Sequence, residues 1–333
     1  MPSRFDFFSP PGERPFTPRL ARLARGAAGL AALALLVAAA GLLAREAARA
    51  GELDAVYARH GNNMPVITND GDLAVYEGDP GEPAVDCAGL AGPRTMVALV
   101  FGQSNAANTV DRGYDATLAV YAWHDGQCKR VHDALPGASS ANGSTWSRLG
   151  DRIVTSGLYD TVLFVDIARG GSSILNWGAK GGLRALLVET LGALRENGLA
   201  PTHVFFHQGE ADCYLGLSGK EYASVLQDVL GEVRSRVGED CDIFVSRASL
   251  FLDPVCGDRQ SPVCYKSCPA IVAAQTAAAD PGTRIFSGPN TDLLVPWFDR
   301  NDGYHFTARA ADRFAAAWMP LLVRGETSGP TLQ

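Results

Sequence analysis

Five short, largely apolar runs rich in β-branched and aromatic residues recur through the later part of the chain: Thr95 to Phe101, Thr161 to Ile167, Thr202 to Phe206, Asp242 to Val245 and Thr283 to Phe286. Runs of this length without polar alternation predict strands buried on both faces. Helical windows lie between and after them, at Leu183 to Asn197, Gly219 to Val237 and Thr307 to Leu322. Strand and helix periods that alternate in this way predict parallel βαβ units rather than a sandwich. The expected fold is therefore α/β, with three α/β/α layers around a parallel sheet. In such sheets reactive groups gather outside the carboxyl ends of the strands.

A different pattern opens the chain. Gly26 to Ala44 is a run of nineteen residues without a charge, long enough at about 1.5 Å per residue to cross about 30 Å of hydrocarbon. Arg4, Arg14, Arg19, Arg22 and Arg25 precede it, which under the positive-inside rule holds the amino terminus in the cytoplasm and sends everything after Arg45 outward. A cleaved signal peptide is the alternative, since Ala48-Arg49-Ala50 has an A-x-A form. Either way the body is exported. The expected organisation is a cytoplasmic segment over 1–25, a transmembrane signal anchor over 26–44, a linker and lead-in segment over 45–93, a main α/β domain over 94–324 and a tail over 325–333. The lead-in is rich in Gly, Pro and Asp, with one alternating piece near Leu73 to Tyr76 that reads as an opening strand or hairpin.

Composition narrows the class. Of 333 residues 47% are hydrophobic and 20% charged, with no repeat or low-complexity tract, so disorder and solenoid architectures are excluded. Net charge is −7, yet the first fifty residues carry seven Arg against Asp6, Glu13 and Glu46, a balance of +4 that leaves −11 on the remainder. An acidic body argues against a nucleic-acid partner. Seven cysteines, Cys87, Cys128, Cys213, Cys241, Cys256, Cys264 and Cys268, suit an oxidising compartment and allow three bridges with one thiol to spare. Cys256, Cys264 and Cys268 lack the C-x-x-C pairs of a zinc site, so a local disulfide is expected among them. His60, His124, His132 and His203 show no metal-ligand spacing. Oligomeric state is not readable from the sequence.

The chemistry stands at the strand ends. Gly102-Gln103-Ser104-Asn105 follows the first apolar run, Arg169-Gly170-Gly171-Ser172-Ser173 the second, and His207-Gln208-Gly209-Glu210-Ala211-Asp212 the third. Asn301-Asp302-Gly303-Tyr304-His305 leads into the last helix. Acyl transfer from a serine needs a base within reach of the hydroxyl, an acid that orients the base, and donors aimed at the developing oxyanion. Asp302 and His305 are three apart, so one turn can seat the carboxylate on one imidazole nitrogen while the other faces Ser104. The Ser104 and Gly171 N–H groups and the Gln208 amide offer three oxyanion donors. Asp292 is a second choice of orienting acid. Glu210 reads as a hydrogen-bonding brace; Glu210 and Asp212 have no fixed separation that would suit a glycosidase. His207 reads as a satisfied core or rim histidine, and Trp177 as either a pocket wall or a loop anchor.

The ordered blocks G-Q-S-N, G-G-S-S-I-x-x-W, Q-G-E-A-D and D-G-Y-H resemble the SGNH-hydrolase superfamily, in particular its branch of sialate O-acetylesterases and acetylxylan esterases. The resemblance spans about Thr95 to Leu322. It implies Ser104 as nucleophile, His305 as base, Asp302 as its orienting acid, and an oxyanion hole of Ser104, Gly171 and Gln208. It also implies a flavodoxin-like fold with no metal or organic cofactor. The opening G-Q-S-N departs from the G-D-S of the lipase-like branch, and the glycine doublet leaves Gly170 open in place of Gly171. The expected activity is a serine esterase that removes acetyl or another small acyl group from an acetylated carbohydrate or small ester. An O-acyltransferase on the same scaffold and a catalytically silent glycan-binding protein at the membrane are the alternatives.

Overall fold

The computed structural model describes residues 18–60 and 74–326, with side chains described over 34–60 and 74–323. The chain divides into two units, one up to Asp54 and one from Ala55 onward. In the first, helix α1 (Pro18–His60) continues unbroken through the apolar run, as its wealth of Ala, Leu and Arg favours. Leu35, Leu36, Val37, Leu42 and Leu43 are 60–72% exposed. Among the described residues no helix is long and apolar enough to cross a membrane. Positions 26–33, the opening part of the expected span, lie outside the residues whose side chains are described, as do 1–17, Leu73 and the tail from 327.

In the second unit ten strands form: β1 (Ala84–Val85), β2 (Thr95–Gly102), β3 (Val120–His124), β4 (Gln127–Arg130), β5 (Thr161–Asp166), β6 (His203–His207), β7 (Asp242–Arg247), β8 (Phe251–Leu252), β9 (Tyr265–Lys266) and β10 (Ile285–Asn290). The main sheet has the order β1-β4-β3-β5-β2-β6-β7-β10, while β8 and β9 pair separately. From β3 to β10 every pairing is parallel; only β4 and β1 run antiparallel. Counted by chain order, the five strands expected from sequence stand as 2-1-3-4-5, the order of flavodoxin-like doubly wound sheets. Their direction of winding reverses between β2 and β6, the crevice where such sheets bind ligands.

The remaining helices are α2 (Cys87–Leu90), α3 (Thr145–Ser156), α4 (Ile174–Trp177), α5 (Arg184–Glu196), α6 (Glu210–Leu215), α7 (Gly219–Val237), α8 (Pro269–Ala277), α9 (Thr291–Leu294) and α10 (Ala308–Glu326). Alternate residues of a strand face opposite ways, and here both sets are buried. Met96, Ala98, Val100, Phe164, Phe205 and Phe244 form one face and pack with Trp146 of α3 and Phe314 and Trp318 of α10. Trp146 stacks on Phe205 with ring centroids 5.4 Å apart, and its Nε1 donates to the Ala106 carbonyl at 2.6 Å. Leu99, Phe101, Val204, Phe206, Ile243 and Val245 of the opposite face are equally buried. Helices α4, α5, α7 and α8 pack on one another, and α8 also packs on β7.

Sequence patterning did not anticipate α3, α8 or the β3–β4 hairpin. The hairpin turns on Asp125 (φ 45°) and Gly126 (φ 76°), two left-handed residues that match the strand twist. Disulfides join Cys87 to Cys128, Cys213 to Cys268 and Cys256 to Cys264, the last being the local bridge expected, and leave Cys241 free and buried.

Candidate active site

β2 ends in Gly102 (φ 135°), where any Cβ would collide with the backbone carbonyl of His207. Only glycine lets β2 and β6 close on each other here, and the chain then turns at once into a single 3₁₀ turn, Ser104–Ala106. Ser104 is 8% exposed. It lines a cavity of about 230 Å³ together with Gln103, Asn105, Gly170, Gly171, Glu210 and His305. Tyr214, Leu215 and the segment Leu250–Leu252 form the apolar part of its wall.

His305 reaches this cavity from the turn Arg300–Phe306, which is closed by a backbone bridge between its two end residues. Asp302 Oδ1 accepts from the Tyr304 and His305 N–H groups at 2.9 and 2.8 Å, and Oδ2 meets His305 Nδ1 at 2.5 Å. Burial alone would raise the Asp302 carboxyl, but the hydrogen bond and charge of His305 outweigh it and hold the group well below the ordinary carboxylate range. The imidazole is thereby fixed with Nδ1 on the acid and Nε2 left for the cavity. Asp292, the second choice of acid, is committed elsewhere: it accepts from the Ser249 and Leu250 N–H groups at 2.8 and 2.9 Å and from Ser249 Oγ at 2.6 Å.

The glycine doublet divides its work. The Gly170 N–H donates to Ser139 Oγ at 2.8 Å, whereas Gly171 (φ 65°) has no acceptor among the described residues and lines the cavity. The Ser104 N–H is likewise free of any described acceptor. Gln208 stands differently from the expectation. It is fully buried and does not line the cavity. Its Nε2 donates to Asp212 Oδ2, to the Ser172 carbonyl at 3.1 Å and to Gln103 Oε1 at 3.3 Å, while its Oε1 accepts from the Tyr222 hydroxyl at 3.0 Å. Burial pushes the Asp212 carboxyl up to about 6 against the hydrogen bonds of Ser173 and Gln208. Trp177 is also buried outside the cavity, its Nε1 on Ser172 Oγ at 3.0 Å, and so anchors the glycine loop. His207 sits in the core against Phe306 and Phe314, and burial lowers its proton affinity.

No protein family and no curated protein matches the sequence. Solved structures do. A protein of Arabidopsis thaliana superposes on 70% of this chain and 99% of its own with a TM-score of 0.51 at 13% identity, and so shares the fold. NanS covers 71% of this chain and 98% of its own, with a TM-score of 0.46 at 14% identity. A carbohydrate acetylesterase from Xanthomonas citri covers 69% of this chain and 56% of its own, with a TM-score of 0.42 at 15% identity.

Two features of the site, the ties made by Asn105 and the apolar wall, have no counterpart in the sequence reading, whereas Glu210 reads there as a hydrogen-bonding brace and accepts from Asn105 Nδ2. Asn105, adjacent to Ser104, donates through Nδ2 to Glu210 Oε1 at 3.0 Å and to the Tyr304 carbonyl at 3.3 Å, and accepts from the Phe306 N–H at 3.3 Å. It thus ties the serine turn to the histidine turn. Glu210, 5% exposed, keeps Oε2 without a hydrogen-bond partner. The apolar wall comes from α6 and the segment after β7; Tyr214 meets Phe251 edge-on at 5.7 Å, and the Tyr304 hydroxyl donates to the Leu252 carbonyl at 3.0 Å. Elsewhere among the described residues, ligand atoms of Glu77, His124 and Asp125 lie within 4.8 Å of one another on the surface. None of these three lines the cavity.

Proposed function

We propose that the protein is a serine esterase of SGNH type that cleaves short acyl esters, acetyl esters of carbohydrates being the substrate class it fits best. The observation that carries this reading is the Asp302–His305 pair opening onto the same cavity as Ser104, beside two backbone N–H groups with no described acceptor. Ser104 Oγ adds to the acyl carbon while its proton passes to His305 Nε2 and the carbonyl electron pair moves onto oxygen. Collapse of that intermediate expels the alcohol, which takes the proton from His305, and leaves an acyl-serine. Water then repeats both transfers, releasing the acid and restoring Ser104. Asp302 stays ionised and holds the imidazolium that forms in each half-reaction.

The cavity volume, about 230 Å³, is below the roughly 300–1,000 Å³ of pockets for larger ligands. That supports a small acyl group over a long lipid chain. Three disulfides support an oxidising compartment, and the uncharged run between Arg25 and Arg45 supports an N-terminal membrane anchor with the enzyme domain outside. The test is turnover of a nitrophenyl acetate series by the full chain. Rates should be highest for acetyl and fall with acyl length, and Ser104→Ala should be inactive while remaining folded. Undiminished turnover by Ser104→Ala would refute the serine mechanism.

A further inference from the structure

We propose that Gln103, and not Gln208, supplies the side-chain N–H of the oxyanion site. The inference rests on the esterase reading above. Both hydrogens of Gln208 Nε2 are spent on Asp212, Ser172 and Gln103, and Gln208 itself does not line the cavity. Asn105 has the same limitation, since its two hydrogens go to Glu210 and Tyr304. The Tyr304 hydroxyl is held by the Leu252 carbonyl, and Tyr214, 46% exposed, stands at the rim.

Gln103 is 5% exposed and lines the cavity next to Ser104. Its Oε1 accepts from the Gly209 N–H at 3.2 Å, the Ala211 N–H at 3.1 Å and Gln208 Nε2 at 3.3 Å. Backbone N–H groups only donate, so the atom that faces them is oxygen whichever way the amide is drawn. The nitrogen must then point the other way. It carries two hydrogens with no acceptor among the described residues, and a group that enters the cavity can supply one. An oxyanion formed on the carbon attacked by Ser104 meets that need together with the Ser104 and Gly171 N–H groups. On this view Gln208 is a positioning residue. Held by Tyr222 and Asp212, it presses its own N–H on Gln103 Oε1 and so sets the orientation of the Gln103 amide.

Two measurements on the full chain test this. Gln103→Glu keeps an oxygen for the Gly209 and Ala211 N–H groups and removes the Nε2 hydrogens. Its kcat on nitrophenyl acetate should fall about 10²–10³-fold with KM changed less than about threefold, as for loss of one oxyanion donor. In the crystal structure of the wild-type chain inhibited by a monoalkyl phosphonate, Gln103 Nε2 should lie within hydrogen-bond distance of the phosphoryl oxygen while Gln208 remains on Asp212. Full kcat in Gln103→Glu, or a phosphonate on Ser104 with Gln208 swung in and Gln103 apart, would overturn the assignment and leave the esterase reading intact. No phosphonate on Ser104 and no turnover by the wild type would remove both.

Discussion

Asp302 accepts two backbone N–H groups and the ring of His305, and that load explains both its acidity and the rigidity of the turn. Asp302→Asn can still accept backbone N–H groups, but its amide cannot stabilise an imidazolium and favours the wrong tautomer. The expected result is a fall of about 10⁴-fold in kcat at neutral pH with little change in unfolding midpoint; steady-state kinetics beside thermal unfolding separates the two. The Asp302–His305 contact is readable in sequence because three residues and a glycine close it locally. The commitment of Gln208 is not, because Asp212 comes from the next turn of chain, Tyr222 from α7 and Ser172 from another loop. Gln103 is hidden for the same reason: its amide is set by the start of α6, 106 and 108 residues away. A motif names residue types, while hydrogen-bond partners from distant elements decide which way an amide points.

At the scale of elements, the cavity wall hangs on α6, and the Cys213–Cys268 disulfide ties that helix to the start of α8 across 55 residues. In the chain-entropy model a loop of that size contributes about 4 kcal/mol. Replacing both cysteines with Ala should therefore lower the unfolding free energy by about 4 kcal/mol in denaturant titration, with activity declining through the loosened wall. Trp146 fills the space between α3, α10 and the sheet. Trp146→Ala should cost about 3–5 kcal/mol, read in the same titration. The five parallel strands are legible as apolar runs because burial on both faces removes polar residues from them. The β3–β4 hairpin carries a legible signal too, Asp125-Gly126 between β-forming residues, but its strands are short and partly exposed. α3 opens with a buried Ser144 cap and buries polar residues such as Arg148 and Asp151. Its apolar residues Trp146, Leu149 and Ile153 keep helical spacing all the same, so this helix was legible in the sequence.

For the molecule as a whole, stability should depend on pH through its buried acids. Asp166 at the end of β5 is 1% exposed with Oδ2 unpartnered, and burial pushes its carboxyl up to about 8, only partly offset by the Ala168 N–H and Arg169. The native state therefore holds this proton more tightly than the unfolded chain. The stabilisation is complete below the ordinary value of 3.8 and is lost as pH rises through about 8. His203 works in the opposite direction but lower, because burial drops it to about 3 and its contribution is lost only as pH falls from 6.5 toward that value. Between pH 6.5 and 8 the denaturant midpoint should thus decline, and Asp166→Asn should flatten that decline. The doubly wound sheet and the site at its switch point together support one central claim, that Ser104 attacks the ester. The most direct test is to treat the full chain with a fluorophosphonate and locate the adduct by peptide mass. A single adduct on the peptide bearing Ser104, absent in Ser104→Ala and formed far more slowly in His305→Ala, is the expected result. Esterase turnover in a protein that takes up no adduct at Ser104 would contradict it.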